Sequence, residues 1–357
     1  MQHFIFFLWV LLALIPVIIF ILRSKNFQKK IIYQYVNNLL INYDCFSTIT
    51  AKQLTSYICK QSHPRKKELL KYIFHGNIAD LLKHINDSKL KYQLSLLTAK
   101  KSSAPKFNQP HLTLLYIKKL IIQGIYTQSR RLLHKINEKP RSQTAAALKL
   151  YLDAQLAYHD GDLLNASAWC IQAIKLFKKR KFIYEEADTY FLLGQIYQAG
   201  KFYDSSELML RNSLNLFNHL KCNLGAAKCA CQLGLLTATQ ERWDDAHHFF
   251  NISINHSQHL NNHQPYCLSV CYMALLDVTM HNHHNAIKQI ISLNTEKYND
   301  KLTAFQNDIL AQAYFGLQQW HKAIRYAKQA KKIYLSLDDS HSSSLMDELI
   351  EKSATNL

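Results

Sequence analysis

The sequence predicts an all-α solenoid built of helical hairpins, with one further apolar helix at the N-terminus. Three observations carry this. Small residues recur every 40 positions, at Ala154, Gly194, Gly234 and Ala274, and each is followed 12 residues later by a second small residue, Ala166, Ser206, Ala246 or Ala286. Each copy holds two apolar-periodic segments of helix length joined by a short polar turn, the pattern of a helical hairpin. Gly and Pro are scarce, 8 and 6 in 357 residues, which suits helix throughout and leaves too few turn formers for an all-β fold. A fixed period of this size marks stacked units that each touch their neighbours.

The first element in chain order is an apolar run. Phe4 to Leu22 contains 19 residues without a charge, nearly enough at about 1.5 Å per residue to span a hydrocarbon core of about 30 Å. No basic residue precedes the run and no small-residue cleavage site follows it, so residues 1–22 read as an uncleaved transmembrane anchor rather than a signal peptide. Arg23, Lys25, Lys29 and Lys30 follow directly. By the positive-inside rule they put the rest of the chain in the cytoplasm. The expectation is a single-pass protein of a bacterial inner membrane.

Residues 23–109 form a basic juxtamembrane region, helical in tone but without the repeat signature. Residues 66–87 read as a helix, a turn at Gly76-Asn77 and a second helix, a possible degenerate repeat, and KKSSAPKFNQP at 100–110 reads as a linker. The net charge of +18 lies wholly in residues 23–142, which hold 23 Lys/Arg against 5 Asp/Glu, while residues 143–357 hold 20 of each. The balanced charge of the repeats speaks against a nucleic-acid groove along them. The basic segment, residues 23–67 above all, suits an anionic lipid surface, an acidic partner or RNA; a plain solvated face explains it equally well.

The repeats occupy residues 110–335. The first marker must be small because two helices cross there, and a larger residue over-packs the contact by about 1–3 kcal/mol. Beyond the repeats, LDDSHSSS is a polar break. Leu345, Met346, Leu349 and Ile350 then follow a Ser N-cap at helical spacing, so residues 336–357 read as a capping helix.

Tyr190, Leu193-Gly194, Tyr197, Tyr203, Ser206, Leu210 and Ser213 carry a resemblance. Their order and spacing are similar to the tetratricopeptide repeat (TPR), and the next copy matches at Leu233-Gly234, Trp243, Ala246 and Phe250. Copies 37 residues away fit at Gly124, Tyr126, Ser129, Leu133 and Pro140, and at Leu310, Ala311, Tyr314, Trp320, Ala323 and Ala330. Departures are Thr237 and Asp277, where the family has Tyr. The resemblance implies a right-handed TPR-type α-solenoid of about six repeats whose first helices line a concave groove for a peptide or helix. Its inward positions fall here on Tyr151, Gln155, Tyr158, Asp188, Phe191, Gln195, Gln198, Lys228, Leu235 and Thr239. The chaperone-tail clamp of the family falls on Tyr151, Gln155, Leu192, Lys228 and Gln232, where only Lys228 agrees and Gln155 comes near, so that ligand is disfavoured.

No other chemistry stands out. The turn His281-Asn282-His283-His284 lacks the paired-His helix pattern of a zinc site. The 8 Cys include no C-x-x-C, and Cys170, Cys229 and Cys267 sit on apolar helical faces, as packing residues do. Without a phosphate-cradling Gly loop, triad or paired carboxylates, the chain reads as non-catalytic, with no metal and no cofactor. The functional reading is a membrane-anchored TPR adaptor or scaffold holding a protein or peptide partner. The alternative is a TPR regulatory sensor whose basic N-terminal region contacts nucleic acid.

Overall fold

A computed structural model describes residues 25–41, 48–74, 78–98, 110–136, 142–260, 264–293 and 300–357. Among these the regular structure is entirely α-helical. The chain forms two compact units, Met1–Thr189 and Tyr190–Leu357.

The first unit contains α1 (Lys25–Leu40), α2 (Thr48–Lys60), α3 (His63–Phe74), α4 (Ile78–His84), α5 (Ser88–Thr98), α6 (Pro110–Ile122), α7 (Tyr126–His134), α8 (Gln143–His159) and α9 (Leu163–Lys179). The boundary falls inside α10 (Ile183–Ala199). In α1 and α2 the buried apolar positions are Ile32, Val36 and Leu40, then Ala51, Leu54 and Ile58. These are the three- and four-residue steps of an apolar stripe. α6 with α7, and α8 with α9, pair as antiparallel hairpins.

The second unit contains α11 (Tyr203–His219), α12 (Asn223–Thr239), α13 (Trp243–Ser257), α14 (Gln264–Thr279), α15 (His283–Ile291), α16 (Asp300–Gly316), α17 (Trp320–Ser336) and α18 (Ser340–Ala354). Here α12 packs on α13, α14 on α15, α16 on α17, and α18 lies against α17. The cap of α18 is Asp339, whose carboxylate accepts from the Ser342 amide, so an Asp supplies the function expected of a Ser.

The markers behave as crossing points. Ala154, Ala274, Ala166, Ser206, Ala246 and Ala286 are fully buried. A Cβ on Gly194 would lie 2.7 Å from Leu210, and one on Gly234 would lie 2.6 Å from the Phe250 ring. Ser206 Oγ donates to Gly194 O at 2.8 Å, linking second marker to first.

The period is also written in the turns. Gly161, Lys201, Glu241 and His281 stand 40 residues apart with φ of 81°, 61°, 58° and 61°. At Lys201 the Phe202 amide donates to Tyr197 O and the Lys201 amide to Gln198 O, each at 2.9 Å. This is the paired closure of a Schellman cap, which needs a left-handed residue.

The membrane placement does not stand. Among the described residues no helix is long and apolar enough to cross a membrane. The longest have 17 residues, about 25 Å at ~1.5 Å per residue, and their faces alternate buried with exposed positions. The most apolar, α6, has 13 residues and carries Lys118 and Lys119. The run at 4–22 on which the anchor rested lies outside the described residues.

Candidate functional site

In the first unit α6, α8 and α10 bring four polar groups together. Lys118 Nζ lies 2.9 Å from Asp188 Oδ2, and Tyr151 Oη donates to the same oxygen at 2.8 Å. Gln155 Nε2 donates to Tyr151 Oη at 3.0 Å. Lys118 is only 4% exposed, so its charge stands because a carboxylate and the nearby rings of Tyr151 and Tyr184 face it. Burial, then the Asp188 charge, pushes the Tyr151 phenol well above its ordinary value of 10. It is therefore a neutral donor at pH 7.

Tyr151 is thus buried within a network and presents little open face, whereas Gln155, Tyr158 and Asp188 are half-buried. Beside them, Glu185 accepts from the Thr48 amide at 2.7 Å and the Thr48 hydroxyl at 2.6 Å. This ties the start of α2 to α10, and burial raises the Glu185 carboxyl above its ordinary value.

In the second unit Phe191, Gln195 and Gln198 come from α10, and Lys228, Gln232, Leu235 and Thr239 from α12. Gln232 joins the two helices: Gln195 Nε2 donates to its Oε1 at 3.4 Å, and its own Nε2 donates to Gln198 Oε1 at 2.6 Å. Next to this amide chain is a cavity of about 160 Å³. Phe191, Leu235, Leu268 and Tyr272 supply apolar wall, and Ala227, Cys231, Ser253 and Ser269 supply small residues. Lys228 lines it too and is exposed. Thr239 stands apart, exposed, its hydroxyl returned to Leu236 O at 2.7 Å. Tyr272 continues the aromatic surface, 5.3 Å from the Phe305 ring centre.

The cavity exists because the repeat is broken locally. Tyr151, Phe191, Cys231 and Cys271 share one position of the 40-residue period. Where the earlier copies carry a ring, Cys231 carries one sulfur, and space remains. Burial pushes its thiol up to about 12, so it is protonated and unreactive at neutral pH. Among the described residues no group of three or more His, Cys, Asp or Glu is placed to hold a metal ion.

The structure gathers Phe191, Lys228 and Leu235 around one cavity and Gln195 and Gln198 beside it. It adds Leu268 and Tyr272, which the family positions do not single out, and Gln232, which they name only in the disfavoured chaperone-tail clamp. The 40-residue register would have pointed to them, since the Cys at 231 replaces a ring.

No family model matches the sequence, and no curated protein matches it. Solved structures do share the fold. A signal-transduction ATPase with numerous domains from Pyrococcus horikoshii, which has a tetratricopeptide repeat sensor, matches with a TM-score of 0.58 at 14% identity, over 91% of this chain and 55% of that one. A Rap protein complexed with competence and sporulation factor matches at 0.53 and 12% identity, over 92% of this chain and 100% of that one. NprR in complex with its cognate peptide NprX matches at 0.51 and 14% identity, over 86% and 88% of the two chains. Over its described residues the chain is all-helical, with a fold like that of tetratricopeptide repeat proteins.

Proposed function

We propose that this chain acts by binding, and that its ligand is an extended peptide or peptide segment held on the first helices of the second unit. One observation carries the reading: the amide chain Gln195–Gln232–Gln198 runs beside a cavity with apolar walls. Amides offer donors and acceptors to a peptide backbone, and a small apolar cavity takes a side chain. Two proteins of like fold were solved with a bound factor or cognate peptide, which supports the reading without carrying it. Burial holds the Cys170 and Cys231 thiols protonated, and the Lys118 network is internally paired.

The test uses the full-length chain and a variant carrying Phe191→Ala, Gln195→Ala and Gln232→Ala. Both are incubated with the small-peptide fraction of a host extract, separated by gel filtration and analysed by mass spectrometry. The expected result is a discrete set of peptides retained by the wild type and lost from the variant at unchanged helical content. Equal retention by both proteins would move the ligand away from this surface.

A further inference from the structure

In the second unit the later turns of each second helix close the space before the next hairpin. Ser213 Oγ of α11 lies 3.1 Å from Cys229 Sγ of α12, and a Cβ at Gly225 of α12 would meet the Phe217 ring at 2.4 Å. Ser253 Oγ of α13 lies 2.7 Å from Ser269 Oγ of α14. Ser213, Phe217 and Ser253 are all buried by these contacts. α15 breaks the pattern. It has 9 residues where α11 and α17 have 17 and α13 has 15, about two turns fewer at ~3.6 residues per turn. Gln306 stands at the α16 position that matches Cys229 and Ser269. Its Nε2 donates to Ile290 O and Leu293 O at 3.0 Å each, so an amide closes the helix end where the other copies continue the helix.

The shortening leaves a groove of about 860 Å³ between the end of α15, the first half of α16 and the second half of α17. Two turns of a helix about 10 Å wide and about 11 Å long fill roughly 850 Å³. Leu310, Tyr326 and Ile333 give the groove apolar surface, and the exposed Ile291 lines it too. The columns of Leu214 and Phe217 read Asn294 and Lys297 in this copy, so the chain does not repeat the apolar pair that fills this space elsewhere.

Charge names the occupant. Residues 190–357 hold 14 Lys/Arg and 14 Asp/Glu, yet α17 carries five of the former and none of the latter. Lys322, Arg325, Lys328 and Lys332 are exposed at three- and four-residue steps along one side of α17. None of the four pairs with a carboxylate of a described residue, whereas Lys331 is taken up by Asp347 at 2.5 Å. Lys332 lines the groove, and so does Asp300. A helix can set a neutral or basic residue against Asp300, which a phosphate backbone cannot do.

We propose that the groove and the adjoining basic side of α17 dock an acidic amphipathic helix of a partner protein. Its apolar side takes the place of the two absent turns, and its carboxylates meet Arg325, Lys328 and Lys332. This is helix-in-groove recognition with charge setting the specificity. The groove shares no lining residue with the cavity beside Gln232, so it is a second site and stands apart from the peptide-binding reading.

The experiment uses the full-length protein and a fluorescein-labelled peptide copying residues 205–219 with Arg211→Glu, Asn215→Glu, Asn218→Glu and His219→Glu. The peptide keeps Ser213, Leu214 and Phe217, which fill the equivalent space in the second unit. Binding is read by fluorescence anisotropy at low salt. The expected result is binding that weakens at least tenfold when the four introduced Glu are Gln, and at least tenfold when Leu214 and Phe217 are Ser. Lys328→Glu with Lys332→Glu should remove the preference for Glu over Gln at unchanged helical content, and Phe191→Ala should leave binding as it is. A serine-substituted peptide bound as tightly as its parent overturns the proposal, because charge alone would then explain the binding. Binding unaffected by Lys328→Glu with Lys332→Glu overturns it, as does no binding by folded wild type. An RNA oligonucleotide bound more tightly than the peptide, and lost from the same double variant, would make this a nucleic-acid face and overturn it too.

Discussion

Gly234→Ala tests whether the 40-residue marker is a true helix crossing. A Cβ at Gly234 would meet Phe250 Cε1 at 2.6 Å, Cδ1 at 2.7 Å and Cζ at 3.0 Å. Carbon atoms sit comfortably at about 3.5–4.0 Å, so the ring must retreat by nearly an ångström. Phe250 is 1% exposed and has no solvent-side space to retreat into. Over-packing of this kind costs about 1–3 kcal/mol. Three short contacts to a rigid ring place the cost in the upper half of that range. Ala recovers about 1 kcal/mol over Gly in a helix interior, leaving a net loss of about 1–2 kcal/mol. The assay is urea unfolding followed by circular dichroism at 222 nm, with Phe250→Leu made alone and in combination. Leu removes the ring edge, so the double variant should be less destabilised than the two single losses added, by about 1 kcal/mol or more. A neutral or stabilising Gly234→Ala, or strict additivity with Phe250→Leu, would mean the helices do not cross at this point and that the marker is an accident of the period.

Four further outcomes follow from the same structure. Glu241 is exposed and holds φ of 58°, so Glu241→Gly should raise stability by about 0.5–1 kcal/mol by removing left-handed strain from a side-chain-bearing residue, read as a shift in the urea midpoint. Burial lowers the His111 imidazole from 6.5 to about 4, and both ring nitrogens are without a hydrogen-bond partner among the described residues. A depressed folded pKa gives stability that is present above the unfolded value and lost as pH falls through the folded one. Stability should therefore drop between pH 6.5 and 4, by on the order of 2–3 kcal/mol, and His111→Phe should flatten that slope in a pH series of unfolding curves. Asp188→Ala removes the carboxylate that Lys118 and Tyr151 share and should cost about 3 kcal/mol, whereas adding Lys118→Met should recover part of the loss; a double variant worse than the single one would refute the pairing. Cys231→Phe restores the ring that earlier copies carry at its position and should fill the 160 Å³ cavity. Peptide retention in the capture experiment should vanish with stability kept within about 1 kcal/mol, and undiminished retention would place the ligand elsewhere.

The parts of this molecule that were legible are those governed by period. Small residues at Gly194 and Gly234 announce a helix crossing because only the absence of a Cβ allows the approach. The turns were legible in place but not in conformation. Of the left-handed residues among those described, only Gly124 and Gly161 are glycines, and the rest are Lys, Glu, His, Gln and Asp, residues that read as ordinary surface. There the Schellman closure of the preceding helix selects the conformation against local preference. The candidate site was half legible for a different reason. Helical spacing says which side of a first helix faces the groove, but not what the neighbouring helix supplies. Tyr151 looked like groove lining and is buried, since Lys118 and Asp188 come from two other helices to meet it. Lys118 itself was hidden in the basic surplus of residues 23–142. The apolar run at 4–22 suggested a membrane by hydropathy alone; it lies outside the described residues, and among those no helix is long and apolar enough to cross one.

Fold and specificity are carried by different columns of the repeat. The 154–194–234–274 and 166–206–246–286 columns keep small residues in every copy, because each copy must make the same crossing. The 151–191–231–271 column reads Tyr, Phe, Cys, Cys, and the 148–188–228–268 column reads Leu, Asp, Lys, Leu. Nothing in the crossing constrains these positions, so they can vary without disturbing the stack. In the first unit that freedom is used to close the surface, with Tyr151 locked to Asp188. In the second it is used to open it, with Cys231 leaving room between Phe191 and Tyr272. On the peptide-binding proposal, recognition rests on departures from the period, and the place to look for the ligand is where the period fails, at the cavity lined by Phe191, Cys231 and Tyr272.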